Sequence, residues 1–216
     1  ELAYNTEVEE FNEAGGMMDQ YTTAMGNLIY IQSEPDITIE SLNPILGTFV
    51  LGDSCEPKDT MGILSRCRDS RLEIIQKLKM KNPTSTIHTL GEGADISDLN
   101  ASEIELYKGT LKNRDLLKRA LSELEKEESN HELIGQLLSD HHQVLRDVLQ
   151  VSTPKIETMM DAASNAGALG GKINGSGGGG CMFAYAPNNP EHVAEAIEKA
   201  GGKTYIIQQD EGTRIN

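Results

Sequence analysis

The chain has 216 residues, 38% of them hydrophobic, with no Trp, three Phe and 34 acidic against 19 basic side chains, for a net charge of −15. That length suits one good-sized domain, or one domain plus part of another, with an aliphatic core. So acidic a surface repels nucleic acid and anionic membranes, no apolar run reaches membrane-spanning length and no signal peptide is visible, so neither partner is expected and the expected location is the cytoplasm.

Residues 1–12 are helical in composition and read as the middle of a helix, without a cap before them. From this we expect a piece of a longer protein. Gly15-Gly16 break that stretch. Met17–Gly26 reads as a short helix, Leu28–Ser33 as a strand, Glu34-Pro35-Asp36 as a turn, and Thr38–Leu42 and Thr48–Gly52 as further strands. Asp59–Lys79 is a helix by its apolar positions Ile63, Leu64, Cys67, Leu72, Ile75 and Leu78. Thr84–Asn100 carries little periodic signal. Ser102-x-x-Glu105 reads as a capping box opening a helix to about Glu128, and Asn130–Leu149 as the next helix.

Thr153-Pro154 is an N-cap followed by proline at the first helical position, and Gly167 a natural end. Strands at Leu169–Asn174 and Cys181–Ala186 flank a glycine loop. A helix from Pro190 to Gly201-Gly202 and a strand at Lys203–Gln209 close the chain. With one earlier strand, the order from residue 154 gives a split βαββαβ, ferredoxin-like sandwich.

The loop Lys172–Cys181 reads KINGSGGGGC, with five glycines in the six residues 175–180. Gly175, Gly177 and Gly180 satisfy G-x-G-x-x-G, but a strand-like CMFAYAP follows where a dinucleotide fingerprint needs a helix. No Gly-Lys-Ser/Thr follows, so it is not a Walker loop either. A hairpin needs one or two glycines, and each further one costs roughly 0.5–1 kcal/mol to order. The remaining reading is a bend whose bare backbone touches a ligand, most readily a phosphate. Lys172 is the nearest basic residue along the chain.

Asp19 stands after Gly15-Gly16-Met17-Met18. It is either a carboxylate favoured by a helix N-terminus or a proton acceptor; spacing alone favours the former. His141-His142 point about 100° apart on a helix, so they read as solvent-facing or half-buried rather than as a metal pair. Met17, Met18, Met159 and Met160 read as core. Cys55, Cys67 and Cys181 show no CxxC spacing and read as reduced thiols.

Together these segments resemble the GHMP kinase superfamily, and within it the galactokinases and related sugar kinases. Gly15–Tyr21 followed by Met25-Gly26 resembles the galactokinase segment that carries the catalytic aspartate. Val151-Ser152-Thr153-Pro154, Gly167-Ala168 and KINGSGGGGC resemble the family's third motif with its preceding helix, and Gly212-Thr213-Arg214-Ile215 also fits.

The resemblance implies an α+β fold of GHMP-kinase type. Residues 1–58 would be the end of an S5-like α/β N-terminal domain, and 59–216 a C-terminal ferredoxin-like sandwich with added helices. It implies ATP and Mg2+ as cofactors, with magnesium ligands mostly in a part preceding Glu1. Asp19 would face the attacking hydroxyl, Gly16 would lie against the sugar, and Gly175, Ser176, Gly177, Gly178 and Gly179 would meet the nucleotide phosphates or brace their loop. The implied reaction is ATP-dependent phosphorylation of a sugar at its anomeric hydroxyl. The family's own nucleotide loop and catalytic arginine would precede Asp19, so this piece alone is expected to be inactive. Galactokinases place a sugar-contacting tyrosine ahead of the arginines numbered Arg66 and Arg68 here. This chain has Ile63-Leu64-Ser65 there, which leaves room for another hexose, a heptose or a pentose. The alternatives are a non-catalytic, kinase-like sugar sensor and a kinase of a non-sugar alcohol such as mevalonate.

Overall fold

A computed structural model describes residues 4–6, 17–33, 36–58, 60–81, 83, 89–91 and 93–214, with the side chains of 60–62 and 64–66 outside the description. Among the described residues there are six helices and two sheets: α1 (Met18–Met25), β1 (Leu28–Gln32), β2 (Thr38–Leu42), β3 (Phe49–Asp53), α2 (Thr60–Lys81), α3 (Ala101–Leu124), α4 (His131–Asp147), α5 (Pro154–Asn165), β4 (Gly170–Ile173), β5 (Cys181–Tyr185), α6 (Pro190–Lys199) and β6 (Lys203–Ile207). The helical start expected over residues 1–12 and the turn at Glu34-Pro35 lie mostly outside the described residues.

β1 and β2 form an antiparallel hairpin with Leu28 opposite Leu42. The second sheet has the order β4-β5-β3-β6, all antiparallel. This is the order of the split βαββαβ sandwich, with β3 as the earlier strand, so the expected fold is found. β3 alternates half-buried Phe49, Leu51 and Asp53 with buried Val50 and Gly52. β3 thus belongs by pairing with the C-terminal strands, and we propose a domain boundary between Leu42 and Phe49 rather than after residue 58.

α5 and α6 cover one face of this sheet. Val50, Ile156, Met159, Ile173, Met182, Val193 and Ile197 are fully buried between the layers. Each such side chain contributes about 1.5–3 kcal/mol of transfer free energy. α5 begins as expected, with Thr153 Oγ1 accepting the Ile156 N–H at 3.3 Å. α4 lies on edge strand β4 at a glycine–glycine approach: a Cβ on Gly170 would stand 1.8 Å from the Gly135 carbonyl oxygen.

Several local expectations need correction. The capping box that opens α3 is Asn100 with Glu103, not Ser102 with Glu105. Asn100 Oδ1 accepts the Glu103 N–H at 3.0 Å and Glu103 Oε2 accepts the Asn100 N–H at 2.9 Å, while Lys77 pins the same carboxylate. α3 also ends at Leu124 rather than near Glu128. On α2 the buried stripe runs through Ile74 and Leu78, and Leu72 is exposed. Met18 is exposed too, whereas Met159 is core. Finally, the stretch before Asn100 is not loose throughout: Leu90 and Leu99 are buried in a second core with Ile74, Leu78, Tyr107 and Leu111, and Tyr107 donates to the Gly91 carbonyl at 3.0 Å.

Candidate active site

The glycine loop closes the end of the sheet where Asp53 pairs with Cys181. Gly175, Gly177, Gly178, Gly179 and Gly180 all have φ between +69° and +113°, a region that only glycine enters freely. Two neighbouring segments hold them. Gly178 donates to the Val151 carbonyl at 2.7 Å, Gly180 donates to Glu56 at 3.2 Å, and Ser54 donates to Gly180 at 2.9 Å. A Cβ on Gly177 would stand 2.5 Å from the Val151 oxygen, and one on Gly179 would stand 2.7 Å from the Pro57 oxygen. Much of the glycine density is therefore explained by packing within the chain.

The tip is different. Gly175 is exposed and Ser176 half-buried. Their N–H groups have no hydrogen-bond partner among the described residues. Beside them stands a cation that the sequence reading missed. Lys58 lays its aliphatic stem over Gly180 and brings Nζ to 3.4 Å from the Asn174 carbonyl, with the Cβ position of Gly175 3.2 Å away. No local pattern marks Lys58, because it lies 116 residues before Asn174. Two free backbone donors and an ammonium group at one exposed point form an anion-binding arrangement.

Lys172, the nearest basic residue by sequence, plays no part at the tip. Its Nζ donates to the Ile173 carbonyl at 2.9 Å and stands 5.2 Å from the Phe183 ring centroid. Burial pushes its pKa down to about 8. Of the two histidines, His141 is half-buried as expected and His142 is not. His142 is buried and hydrogen-bonded to Glu157 and to the Ile173 N–H. Burial, with smaller effects from Lys172 and His142, pushes His141 down to about 4.

Asp19 is exposed in the first turn of α1, and Gly16 lies outside the described residues. The far end of α1 docks on residues 210–213. Asn27 donates to Asp210 at 2.7 Å, Thr213 donates to Thr23 at 3.1 Å, and a Cβ on Gly26 would strike the Gly212 nitrogen. The structure thus joins Met25-Gly26 to Gly212-Thr213. This anchor lies past Ile207, at the opposite end of β6 from the loop. About 13 Å of strand separates the two ends at 3.3 Å per residue. Among the described residues no hydrogen bond or ion pair links Asp19 with the loop.

Also among the described residues, no group of three or more His, Cys, Asp or Glu side chains is placed to hold a metal ion, and no helix is long and apolar enough to cross a membrane.

Comparison with known proteins adds three findings. The family model described as GHMP kinases C terminal matches residues 114–205. A mevalonate kinase of Thermococcus gammatolerans is 32% identical over 206 residues, covering 94% of this chain and 52% of that protein, and a galactokinase of Clostridium perfringens is 33% identical over 138 residues, covering 57% of this chain and 35% of that one. The fold superposes on Lactococcus lactis galactokinase complexed with galactose with a TM-score of 0.80 at 17% identity, over 96% of this chain and 58% of that one. The chain spans about half the length of the mevalonate kinase it matches. Residues 114–205 thus belong to the C-terminal domain family of the GHMP kinases, and the fold of the chain is of GHMP-kinase type.

Proposed function

We propose that the protein carrying this chain transfers the terminal phosphoryl group of ATP to a hydroxyl of a small polar molecule, and that its substrate is a sugar phosphorylated at the anomeric hydroxyl. The observation that carries the phosphate part is the exposed Gly175–Ser176 tip, with its free N–H groups beside the Lys58 ammonium. A net charge of −15 disfavours any polyanion unless donors are concentrated at one point, and this tip is such a point.

In this reading Gly175, Ser176 and Lys58 orient and neutralise the nucleotide phosphates, while Gly177, Gly178 and Gly179 fix the bend that presents them. Asp19, an exposed carboxylate, accepts the proton of the attacking hydroxyl or stabilises its developing charge, and Gly16 lets the substrate approach. Phosphoryl transfer asks a protein mainly for positioning and charge neutralisation. Mg2+, arriving on the nucleotide, would add charge neutralisation at the phosphates and needs only one or two protein carboxylates.

The sugar is supported by the likeness of Gly15–Tyr21 to the galactokinase segment and by the galactokinase relative. A second reading, an alcohol such as mevalonate, is supported by the mevalonate kinase that aligns with 94% of the chain. One experiment separates them: ADP release by the full-length protein against a panel of sugars and mevalonate. Sugar-dependent release supports the first reading, and release with mevalonate alone supports the second. Sugar binding without turnover makes the protein a sensor. Absence of both binding and turnover overturns the proposal.

A further inference from the structure

A loop with five glycines cannot hold its own shape, because each glycine reaches a wide range of backbone angles at little cost. Something outside the loop has to fix its two flanks. His142, on the buried side of α4, is 5% exposed. Its two ring nitrogens meet two different pieces of chain. The backbone N–H of Ile173, the last residue of β4 before the loop, donates to Nδ1 at 3.2 Å, and Nε2 stands 2.9 Å from Glu157 Oε1. An amide N–H can only donate, so Nδ1 carries no proton. The ring is neutral, and its hydrogen sits on Nε2, donating to the carboxylate.

Glu157 also accepts from Ser152 Oγ and from the Arg146 guanidinium, the latter at 3.3 Å. Ser152 follows Val151, whose carbonyl takes the Gly178 N–H at 2.7 Å. One imidazole thus ties the strand that enters the loop to the segment that holds its far side, and both ring nitrogens are spent in doing so.

We infer that His142, acting through Glu157, is a positioning residue that fixes the two flanks of the glycine loop relative to each other. Its effect on the loop is a property of the chain alone. Only its effect on nucleotide binding rests on the function proposed above.

The charges around the ring are consistent with this. Burial lowers the His142 pKa from its ordinary value, with Arg146 and Lys172 acting in the same direction and Glu157 against them. The Lys172 and His142 charges also act on His141. Burial alone would raise the Glu157 pKa, but Ser152, His142 and Arg146 outweigh it and hold the carboxyl below its ordinary value. Protonation of His142 would place a hydrogen on Nδ1 against the Ile173 N–H and open the β4 side of the clasp.

Amide hydrogen exchange and nitrogen-15 spectra of the chain test this with two variants. His142→Leu removes both bonds. His142→Asn keeps an acceptor for Ile173 but is too short to reach Glu157. In His142→Leu the Ile173 amide, which loses its acceptor, exchanges about tenfold faster, and so does the Gly178 amide, whose acceptor segment loses the bond between His142 and Glu157. The amides of Lys203–Ile207, across the same sheet, keep wild-type rates. In His142→Asn the Ile173 amide recovers and Gly178 does not. In the wild-type chain, which needs no variant to fold, acid moves the glycine signals in step with the His142 ring carbons. A uniform rise in exchange over the whole sheet, loop amides that do not respond, or glycine signals that ignore the His142 titration each overturn the inference. In the full-length protein His142→Asn raises the nucleotide KM severalfold and leaves the KM of the hydroxyl substrate unchanged. Loop amides that respond while the nucleotide KM does not would sink the phosphate reading of the loop and leave the positioning role standing.

Discussion

Gly178 donates its N–H to Val151 at 2.7 Å, and the neighbouring Gly177 lies so close that a Cβ there would stand 2.5 Å from the same carbonyl oxygen. The loop and the segment before α5 therefore meet backbone to backbone. Gly177→Ala forces a side chain onto φ of +83° and against a carbonyl that cannot retreat without losing Gly178. The expected cost is about 2–3 kcal/mol of stability in urea unfolding. Gly91→Ala, where a Cβ meets open space, stays within about 0.5 kcal/mol.

Lys58→Met keeps the apolar stem over Gly180 and removes the charge at the tip. In the full-length protein the nucleotide KM rises about tenfold, the loss of one charge-assisted contact, and the KM of the hydroxyl substrate holds. Steady-state kinetics with each substrate varied in turn makes the check. An unchanged nucleotide KM removes Lys58 from the site.

Asp19→Asn keeps the shape of the side chain and removes its charge. If the carboxylate acts in the transition state, kcat of the full-length protein falls by about 10²–10³ while the substrate KM changes little. A near-normal kcat leaves Asp19 as a surface carboxylate on α1.

His141 contributes to the pH dependence of folding, as does His142, which burial shifts in the same direction. The His141 pKa is held near 4 in the fold, against 6.5 as the ordinary value, chiefly by burial. Between those values the unfolded chain binds the proton and the folded chain does not. This contribution to stability is fully present above about pH 6.5, declines as pH falls toward 4, and declines no further below that. The variant His141→Gln flattens the unfolding free energy over this window. An equal slope in variant and wild type rules His141 out as its source.

The sandwich was readable because its signals are local. Thr153-Pro154, Gly167, the flanking strands and Pro190 punctuate elements within a few residues, and the observed helices and strands follow them. The α3 cap was misplaced by two residues because Asn100 and Ser102 both head capping-box patterns, and Lys77, 26 residues before Glu103, helps to settle which one forms. Lys58 was invisible because it reaches the loop across 116 residues. The glycines themselves were ambiguous in sequence. Packing on Val151, Glu56 and Pro57 accounts for Gly177, Gly179 and Gly180, and among the described loop residues the Gly175–Ser176 tip is the part that this packing leaves open. Asp19 was singled out by its motif, and its bonds in the structure are those of a short exposed helix anchored at the far end.

The account depends on Asp19 and the glycine tip facing one bound nucleotide–substrate pair. A crystal structure of the full-length protein with a non-hydrolysable ATP analogue, Mg2+ and the hydroxyl substrate tests this most directly. The account predicts phosphate oxygens about 3 Å from the Gly175 and Ser176 nitrogens and Lys58 Nζ, with Asp19 within hydrogen-bond reach of the attacking hydroxyl. Phosphates bound away from the tip, or Asp19 turned from the hydroxyl, would contradict it.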